Sequence, residues 1–397
     1  MKKLLGIFYH WFVSFTSALY NFYPSRGLVV VGITGTKGKS TTLELINAGL
    51  EAAGKKTALV SSIRIKVGNK SEVNKTGNTM PGRGVIQKIM RQAANEGCEY
   101  VLIEVTSQGV VQYRHEFIDF DVAVFLNLQP EHLESHGGFE NYKQAKLSFF
   151  RYVNKQKSGK NKTFFVNKED KCADEFVKAA GKNKVVLFNK SDTKTNLAGE
   201  FNKANVGAAV AVLGNLGVSD DVVAKAMESF GGLSGRMEFV SREPFIAVVD
   251  YAHTPDSLRA VYETVTGMKK PKGRLVCVLG SAGGGRDKWK RPEMGKIAAE
   301  YCGYVILTDE DPYDEDPLKI LSEVEDGLKA VHLDKTKYEK ILDRTQAIKK
   351  AISMAGPGDG VVITGKGSEP FLHKAKGVKV SWSDRKIVEE TIQRLAK

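Results

Sequence analysis

The sequence predicts an α/β protein: a central P-loop-type domain with a mostly parallel sheet, followed by a smaller Rossmann-like α/β domain. Three observations predict it. An apolar run, Leu28–Ile33, leads straight into the glycine-rich "GTKGKST" of residues 35–41, and a helical pattern, Ser40–Leu50, leaves it. Strand-like and helix-like patterns then alternate through two successive series, as parallel strands crossed over by helices do. Hydrophobic residues make up 42% of the 397 and glycines number 39, which suits a packed core with many tight turns.

The first segment, "LLGIFYHWFVSFTSALYNFYP", is apolar and aromatic, with Leu4, Phe8, Trp11, Phe15, Ala18 and Phe22 at helical spacing. No small-residue cleavage site follows, so it does not read as a signal peptide. His10, Ser14, Thr16, Ser17 and Asn21 make it a poor spanning helix. Amphipathicity leaves two placements open: packed on the first domain, or lying on a membrane surface.

After Pro24 the strand-like runs are Leu28–Ile33, Thr57–Ser61, Tyr100–Val105, Val122–Leu126, Thr163–Val166 and Val185–Phe188. Arg83–Asn95 and Asn141–Tyr152 read as helices between them, and Glu200–Leu216 and Asp220–Phe230 as two more without a strong strand between. A second series begins near Pro244, with strands Phe245–Asp250, Arg274–Leu279, Tyr304–Thr308 and Gly360–Thr364. Helices are expected to start near Pro255, Arg291, Pro317 and Thr345. "GGLSGRMEFVSREP", between the series, reads as a linker or hinge. Sites in such folds lie at the carboxyl ends of strands, so two units predict a cleft between them.

Lys and Arg total 59 against 46 Asp and Glu, a net charge of +13 spread without long blocks. That favours anionic ligands such as nucleotides. No nucleic-acid-binding signature accompanies it, so nucleic acid is not an expected partner. Cys98, Cys172, Cys277 and Cys302 are far apart, without a C-x-x-C pair. Neither a zinc site nor a disulfide framework is expected. Cys277 and Cys302 read as small buried hydrophobes, in a chain suited to a reducing cytoplasm.

The chemistry starts at the phosphate loop. Glycines let backbone N–H groups approach phosphate oxygens, and the helix amino terminus adds a favourable dipole. Lys39 is placed to neutralise terminal phosphates and the Ser40 hydroxyl to ligate Mg²⁺. Glu104, after "YVLI", should project from a strand end near this loop as an oxygen ligand. His132 and His136 lie four apart in "NLQPEHLESHGG", weak evidence of metal binding by themselves. "GSAGGGRDKWKRP" fails G-x-G-x-x-G, which rejects a dinucleotide fingerprint, but its glycines and Arg286, Lys288, Lys290 and Arg291 suit an anion.

Taken together, these motifs resemble those of the Mur ligase superfamily, whose phosphate loop reads G-T-x-G-K-[ST]-T. "LAGEFNKANVGAAVAVLGNLG", "FGGLSGRMEFV", "VVDYAHTPDSL", "GRDKWKRPEM", "TDEDPYDEDP", "DRTQAI" and "TGKGSEPF" follow in the order seen in UDP-N-acetylmuramoyl-tripeptide synthetases. The resemblance implies an ATP-dependent carboxylate–amine ligase that works through an acyl phosphate on a muramyl or related peptide. It divides the chain into residues 1–26, a short apolar helix; 27–240, the central ATP-binding domain; and 241–397, the carboxyl-terminal domain. It also implies roles. Gly35, Thr36, Gly38, Lys39, Ser40 and Thr41 would hold ATP phosphates, and Asn202 and Asn205 would lie near the adenine. Arg236 and Asp250 would meet ATP from the second domain. Ser40 and Glu104 would hold one Mg²⁺. His132 would hold a second, supported by Lys146 as a carbamate. Thr79 and Arg114 would contact the carboxylate substrate, and Arg286, Asp311, Tyr313, Gly365 and Glu369 the incoming amino acid. The implied place is the cytoplasm, with the inner face of the membrane open to the first helix.

Two departures from the family pattern matter. Only 26 residues precede the core, too few for a UDP-gripping domain of ordinary size. Tyr313 stands where diaminopimelate-adding members carry the arginine that holds the distal carboxylate. Asp309, Glu310, Asp311, Asp314, Glu315 and Asp316 surround it, a field that would favour a neutral or basic side chain such as lysine. Polyamino-acid (cyanophycin-type) and folylpolyglutamate-type ligases, which also lack the UDP domain, are the alternative enzymes. A nucleotide-binding scaffold without catalysis is the alternative class, against which the intact Lys39, Ser40, Glu104, His132 and Lys146 stand.

Overall fold

Strands of valine, isoleucine and leucine, buried on both faces, order each half of the chain, as expected where helices cover a parallel sheet. The computed structural model describes residues 2–82, 84–131, 133–157, 159–270 and 272–395, without the side chains of residues 2–5 and 7. It divides into a first unit, Met1–Asn196 with Phe201–Gly231, and a second, Leu197–Glu200 with Gly232–Lys397.

In the first unit, α1 (Lys2–Tyr20) and a 3₁₀ turn (Pro24–Gly27) precede β1 (Val29–Thr34), which runs through the glycine loop into α2 (Lys39–Ala52). Then come β2 (Thr57–Val60), β3 (Arg64–Val67), β4 (Lys70–Val73), α3 (Val85–Asn95), β5 (Tyr100–Glu104), α4 (Ser107–Val111) and β6 (Val122–Phe125). α5 (Leu133–His136), α6 (Phe139–Lys155), β7 (Thr163–Asn167), α7 (Ala173–Ala179), β8 (Lys184–Phe188), α8 (Glu200–Asn215) and α9 (Asp220–Ser229) follow. The helix expected from Arg83 begins at Val85, and Arg83 lies outside the described residues.

The eight strands are ordered β4-β3-β2-β5-β1-β6-β7-β8, with every pairing parallel except β2–β3 and β3–β4. β1 is central, with Ile33 beside Glu104 of β5 and Thr34 beside Phe125 of β6. Val101 and Ile103 of β5 and Ala123 and Phe125 of β6 share one core layer with Phe120, Phe149, Phe150, Phe164 and Phe176. α1 does pack on this unit: the Ser14 hydroxyl donates to the Tyr113 carbonyl at 2.8 Å, and Trp11 and Phe15 meet Phe117 edge-on. Among the described residues no helix is long and apolar enough to cross a membrane.

In the second unit, β9 (Glu238–Ser241) and β10 (Ile246–Asp250) precede α10 (Pro255–Met268), β11 (Leu275–Leu279), α11 (Lys290–Tyr301), β12 (Tyr304–Leu307) and α12 (Pro317–Ala330). β13 (Tyr338–Lys340), α13 (Arg344–Ser353), β14 (Gly360–Thr364), a small hairpin of β15 (Phe371–His373) and β16 (Lys379–Ser381), and α14 (Asp384–Leu395) complete it. The six-stranded sheet runs β13-β12-β11-β14-β10-β9, with only β9 antiparallel. Period-two alternation divides β11 between two layers: Leu275, Cys277 and Leu279 face one core, and Val276 and Val278 the other.

Two expectations are corrected here. The stretch read as a linker contains β9, which hydrogen-bonds to β10 as an edge strand. Cys277 and Cys302 are not separate thiols but form a disulfide, Cα to Cα 6.0 Å. The crossover through α11 returns the chain to the neighbouring strand, which brings two cysteines 25 residues apart within reach. Cys98 and Cys172 are free, so cysteine usage does not argue for a reducing compartment.

Candidate active site

The site in the first unit is built on the turn from β1 into α2. Gly38 has φ +83°, and a Cβ there would stand 2.1 Å from Asn205 Oδ1, so glycine is required twice over. Asn205 is buried on α8 beside Asn202, whose Oδ1 accepts from its Nδ2 at 2.8 Å. Asn127, just past β6, grips the loop from the other side. Its Oδ1 accepts the N–H groups of Thr36 (3.1 Å) and Lys37 (2.9 Å), and its Nδ2 donates to the Lys37 carbonyl (3.1 Å). Lys39 folds over the loop, with Nζ donating to the carbonyls of Gly35 and Thr36, each at 3.0 Å. Thr41 is buried in the first turn of α2.

Oxygen donors gather next to this loop. The Ser40 and Ser62 hydroxyls are 3.0 Å apart, and the Ser62 N–H donates to Glu104 Oε1 at 2.9 Å. β5 lies between β1 and β2, so Glu104 at its end stands between the loop and the residues after β2. Two hydroxyls and a buried carboxylate are hard donors of the kind Mg²⁺ takes. Among the described residues no three His, Cys, Asp or Glu side chains cluster to hold a metal. A Mg²⁺ shared with nucleotide phosphates does not need such a cluster.

Lys146 reaches the loop from α6, at the same Gly35 carbonyl that Lys39 bonds. Its Nζ donates to the Gly35 carbonyl at 2.8 Å and stands 4.7 Å from the centre of the Tyr142 ring, while the Tyr142 hydroxyl is 3.1 Å from Thr36 Oγ1. Burial drives the Lys146 amine well below the usual lysine range, and Lys39 pushes the same way. Glu131 pairs with Lys37 at 3.0 Å. His136 Nε2 lies 3.1 Å from Ser107 Oγ. His132 lies outside the described residues.

A second feature of this unit is a cavity of about 550 Å³ whose lining includes Tyr9, His10, Ser14, Asn78, Arg114 and Glu116. Arg114 donates to Asn78 Oδ1 at 3.3 Å, to the Met80 carbonyl and to Gln112 Oε1. Those bonds hold it against the loop that carries Thr79.

The residues of the second unit form their own cluster. Lys366 is fully buried, with Nζ 2.7 Å from Asp311 Oδ2 and 2.6 Å from Glu369 Oε2. Glu369 Oε1 accepts from the Tyr251 hydroxyl at 3.1 Å, and the nearby carboxylate holds that phenol well above its usual range. Arg236 stacks on Tyr251, 4.2 Å from the ring centre. Tyr313, at φ +49°, stacks on His373 with centroids 5.1 Å apart. Arg286 is exposed, with Tyr251, Tyr313 and Glu369 as its charged and polar neighbours. Glu310 packs against Gly365, and burial raises its carboxyl to about 7. Asp250 accepts the N–H groups of Met237 and Ala252, each at 2.6 Å, bonds that brace the strand end.

The acidic field expected around Tyr313 is corrected by these pairings. Asp309 is paired with Lys374, Asp311 with Lys366, and Glu315 with Lys288 and Arg291. Asp314 accepts the Lys376 N–H, and Asp316 caps α12. Burial keeps Glu310 protonated over much of the range below 7. The basic loop expected to hold an anion is likewise committed within the unit. Arg291 is fully buried against Glu315 and Glu323, and Lys290 donates to the His253 carbonyl.

Residues 33–200 match the model of the Mur ligase middle domain, and residues 235–367 that of the Mur ligase, glutamate ligase domain. A UDP-N-acetylmuramoyl-L-alanyl-D-glutamate–2,6-diaminopimelate ligase of Syntrophomonas wolfei is 35% identical over 94% of this chain and 80% of its own length. The chain belongs to the Mur ligase family. A Mur ligase of the same description from Aquifex aeolicus is also 35% identical, over 93% of this chain and 78% of its own length. A solved structure of such a ligase has a TM-score of 0.61 at 27% identity, covering 93% of this chain and 79% of that one. Folylpolyglutamate synthase of Mycobacterium tuberculosis shares the fold, with a TM-score of 0.70 at 15% identity over 89% of this chain and 92% of its own. Mur ligases use ATP and Mg²⁺ to join an amino acid to a peptide precursor.

Within this Mur ligase, sequence reasoning missed Ser62, Asn127, Lys366 and Arg344. Arg344 is buried in a pair with Asp384 and donates to the carbonyls of Asp309 and Thr364, bracing both loops of the second cluster. Lys366 was visible inside "TGKGSEPF" as a cation between two glycines. Ser62 and Asn127 carry no local signal, because their roles arise only where neighbouring strands end side by side.

Proposed function

We propose that the chain is a MurE-like ligase that activates the carboxylate of a muramyl or related peptide with ATP and joins it to an amino acid. The observation that carries this is the loop 35–41, where Lys39 and the buried amine of Lys146 both donate to the Gly35 carbonyl. Lys39 would exchange its carbonyl partners for the terminal phosphates and disperse charge as the carboxylate attacks. Ser40 and Glu104, bridged by Ser62, would hold one Mg²⁺, which supplies Lewis-acid stabilisation of the transferring phosphoryl group. Lys146, in its neutral form, would use its Nζ lone pair to bond CO₂ and release a proton. The resulting carbamate would offer oxygen ligands to a second Mg²⁺, for which His132 is the other proposed ligand. Asn202 and Asn205 would border the adenine, and Arg236 and Asp250 would contact ATP.

Arg114, steadied beside Thr79, would receive an anionic part of the carboxylate substrate in the cavity it lines. Arg286, Asp311, Tyr313, Gly365 and Glu369, with Lys366, would receive the amino acid, whose amine displaces phosphate to form the amide. The place of action is the cytoplasm, with contact to a membrane's inner face assigned to α1. The test crosses candidate peptide acceptors with amino acids and reads ADP release together with product mass. Stoichiometric ADP and amide for one pairing is the expected result. ATP hydrolysis without amide for any pairing would overturn it.

A further inference from the structure

α1 carries apolar residues on more than the face that packs on the first unit. Towards the protein, Trp11 and Phe15 meet Phe117, Ala18 is buried, Ser14 donates to the Tyr113 carbonyl at 2.8 Å, and Ser17 to the Gly84 carbonyl at 3.3 Å. Gly84, at φ +77°, could not carry a Cβ, which would stand 2.2 Å from Ser17 Oγ. The opposite stripe faces outward, with Phe8 64%, Phe12 48% and Leu19 55% exposed. Positions 8, 12 and 19 fall within a narrow arc of the helix, one continuous apolar stripe. Beyond its end, two left-handed residues, Phe22 (φ +59°) and Tyr23 (φ +48°), turn the Phe22 ring outward to 75% exposure. Non-glycine residues adopt that conformation at a cost, so the outward ring is held rather than incidental.

Charge names the occupant of this face. No acidic residue occurs before Glu44, whereas Lys2, Lys3 and Arg26 flank the stripe in sequence. In space, Arg91 of α3 lies over the Phe22 ring at 5.3 Å and Arg26 over the Tyr23 ring at 4.6 Å. α3 itself carries Lys88 and Arg91 and no acid. Exposed aromatic and aliphatic side chains with Arg26 and Arg91 against their rings suit the interface of an anionic bilayer, where rings sit at headgroup level and cations meet lipid phosphates.

We propose that α1 is an interfacial helix, laid along an anionic membrane surface with Phe8, Phe12, Leu19 and Phe22 in the headgroup region. Tyr9, His10, Val13 and Ser14 of the same helix line the cavity that holds Arg114. Lipid contact and the acceptor pocket therefore share one element. This deepens the reading of that cavity as the acceptor site and rests on it only for the role of the pocket, not for the membrane contact.

The test is co-sedimentation of the full chain with vesicles of phosphatidylcholine alone and with about a third phosphatidylglycerol, without ATP or acceptor. Failure here would leave the ligase assay untouched, and failure of the ligase assay would leave this result standing. The expected result is binding to the anionic vesicles that weakens at high salt and falls about tenfold or more in Phe8→Ser/Phe12→Ser/Leu19→Ser. A second variant, Leu19→Glu, changes one exposed position and should weaken binding with an unchanged melting temperature, since it removes apolar surface and adds a charge that anionic lipid repels. Absence of wild-type binding to both vesicles would overturn the proposal. So would unchanged binding by the triple variant. Light scattering that shows a dimer abolished by the triple variant, without vesicle binding, would assign the stripe to a second copy instead.

Discussion

Asn205 Oδ1 occupies the space that a side chain at position 38 would need, 2.1 Å from the ideal Cβ of Gly38. Gly38→Ala must therefore displace a buried amide bonded to Asn202 and also hold alanine at φ +83°, which alone costs about 1 kcal/mol. The expected outcome is at least about a tenfold loss of nucleotide affinity, read by fluorescence titration with a labelled ATP analogue. Undiminished affinity would separate the loop from the nucleotide.

Lys39→Ala should leave the fold intact, because Nζ donates to carbonyls of its own phosphate loop, at Gly35 and Thr36. Removal of one preorganised charge from a phosphoryl-transfer site costs on the order of 10²–10³ in kcat. Circular dichroism and ligation rate, measured on the same sample, check both halves.

Lys146→Ala should lose most activity, and a short carboxylic acid added in trans should restore part of it by supplying the missing oxygen ligand. The buried amine also predicts a pH effect on stability. Its folded pKa lies below the unfolded 10.5, so below that pH the unfolded chain binds more protons, and stability rises with pH. Lys146→Met removes this dependence, so its melting temperature should gain most on wild type near neutral pH and least near pH 10.5. Parallel pH profiles for the two proteins would contradict the lowered affinity of the buried amine for a proton.

Glu310 has the opposite sign. Burial raises its carboxyl from 4.5 to about 7, so the folded state binds more protons between those values. Its contribution is fully present below 4.5 and is lost as pH rises through about 7. Glu310→Gln should therefore be near neutral at pH 5 and stabilising at pH 8, by on the order of 3 kcal/mol at most. Thermal melts of both proteins at the two pH values measure it.

Under the proposed function, Tyr313, stacked on His373, takes the place of the arginine that the family resemblance expects to hold a distal carboxylate. Because the surrounding acids are paired, that missing clamp, rather than a negative field, sets the preference. Lysine is expected to outcompete diaminopimelate at equal concentration, and Tyr313→Arg to move the product ratio towards diaminopimelate. Product mass decides, and dominant diaminopimelate in the wild type would refute it.

The parallel strands were legible because burial on both faces makes them apolar throughout, as in "VVVGIT" and "LVCVL". β3 "RIKV", β4 "KSEV" and β9 "EFVS" pair antiparallel towards sheet edges and mix polar with apolar residues, so they left no comparable run. The phosphate loop and Glu104 were legible because a strand end followed by glycine or carboxylate is a local pattern. The Cys277–Cys302 bond was not, since it depends on a crossover that returns through α11. The six acids around Tyr313 were visible as composition, but their partners Lys366, Lys374 and Arg291 lie up to 65 residues away in sequence.

The pairing of β1 between β5 and β6 has a consequence for how errors would be felt. Ile33 stands beside Glu104 and Thr34 beside Phe125, two residues before Asn127. A strand that slips by one residue presents its side chains to the opposite face. Misalignment of β5 would turn Glu104 away from Ser62 without removing any atom, and misalignment of β6 would draw Asn127 off the loop. Strand alignment thus itself sets the Glu104–Ser62 and Asn127–loop contacts, and conservative changes in the apolar strands would disrupt the candidate site while leaving every polar residue in place.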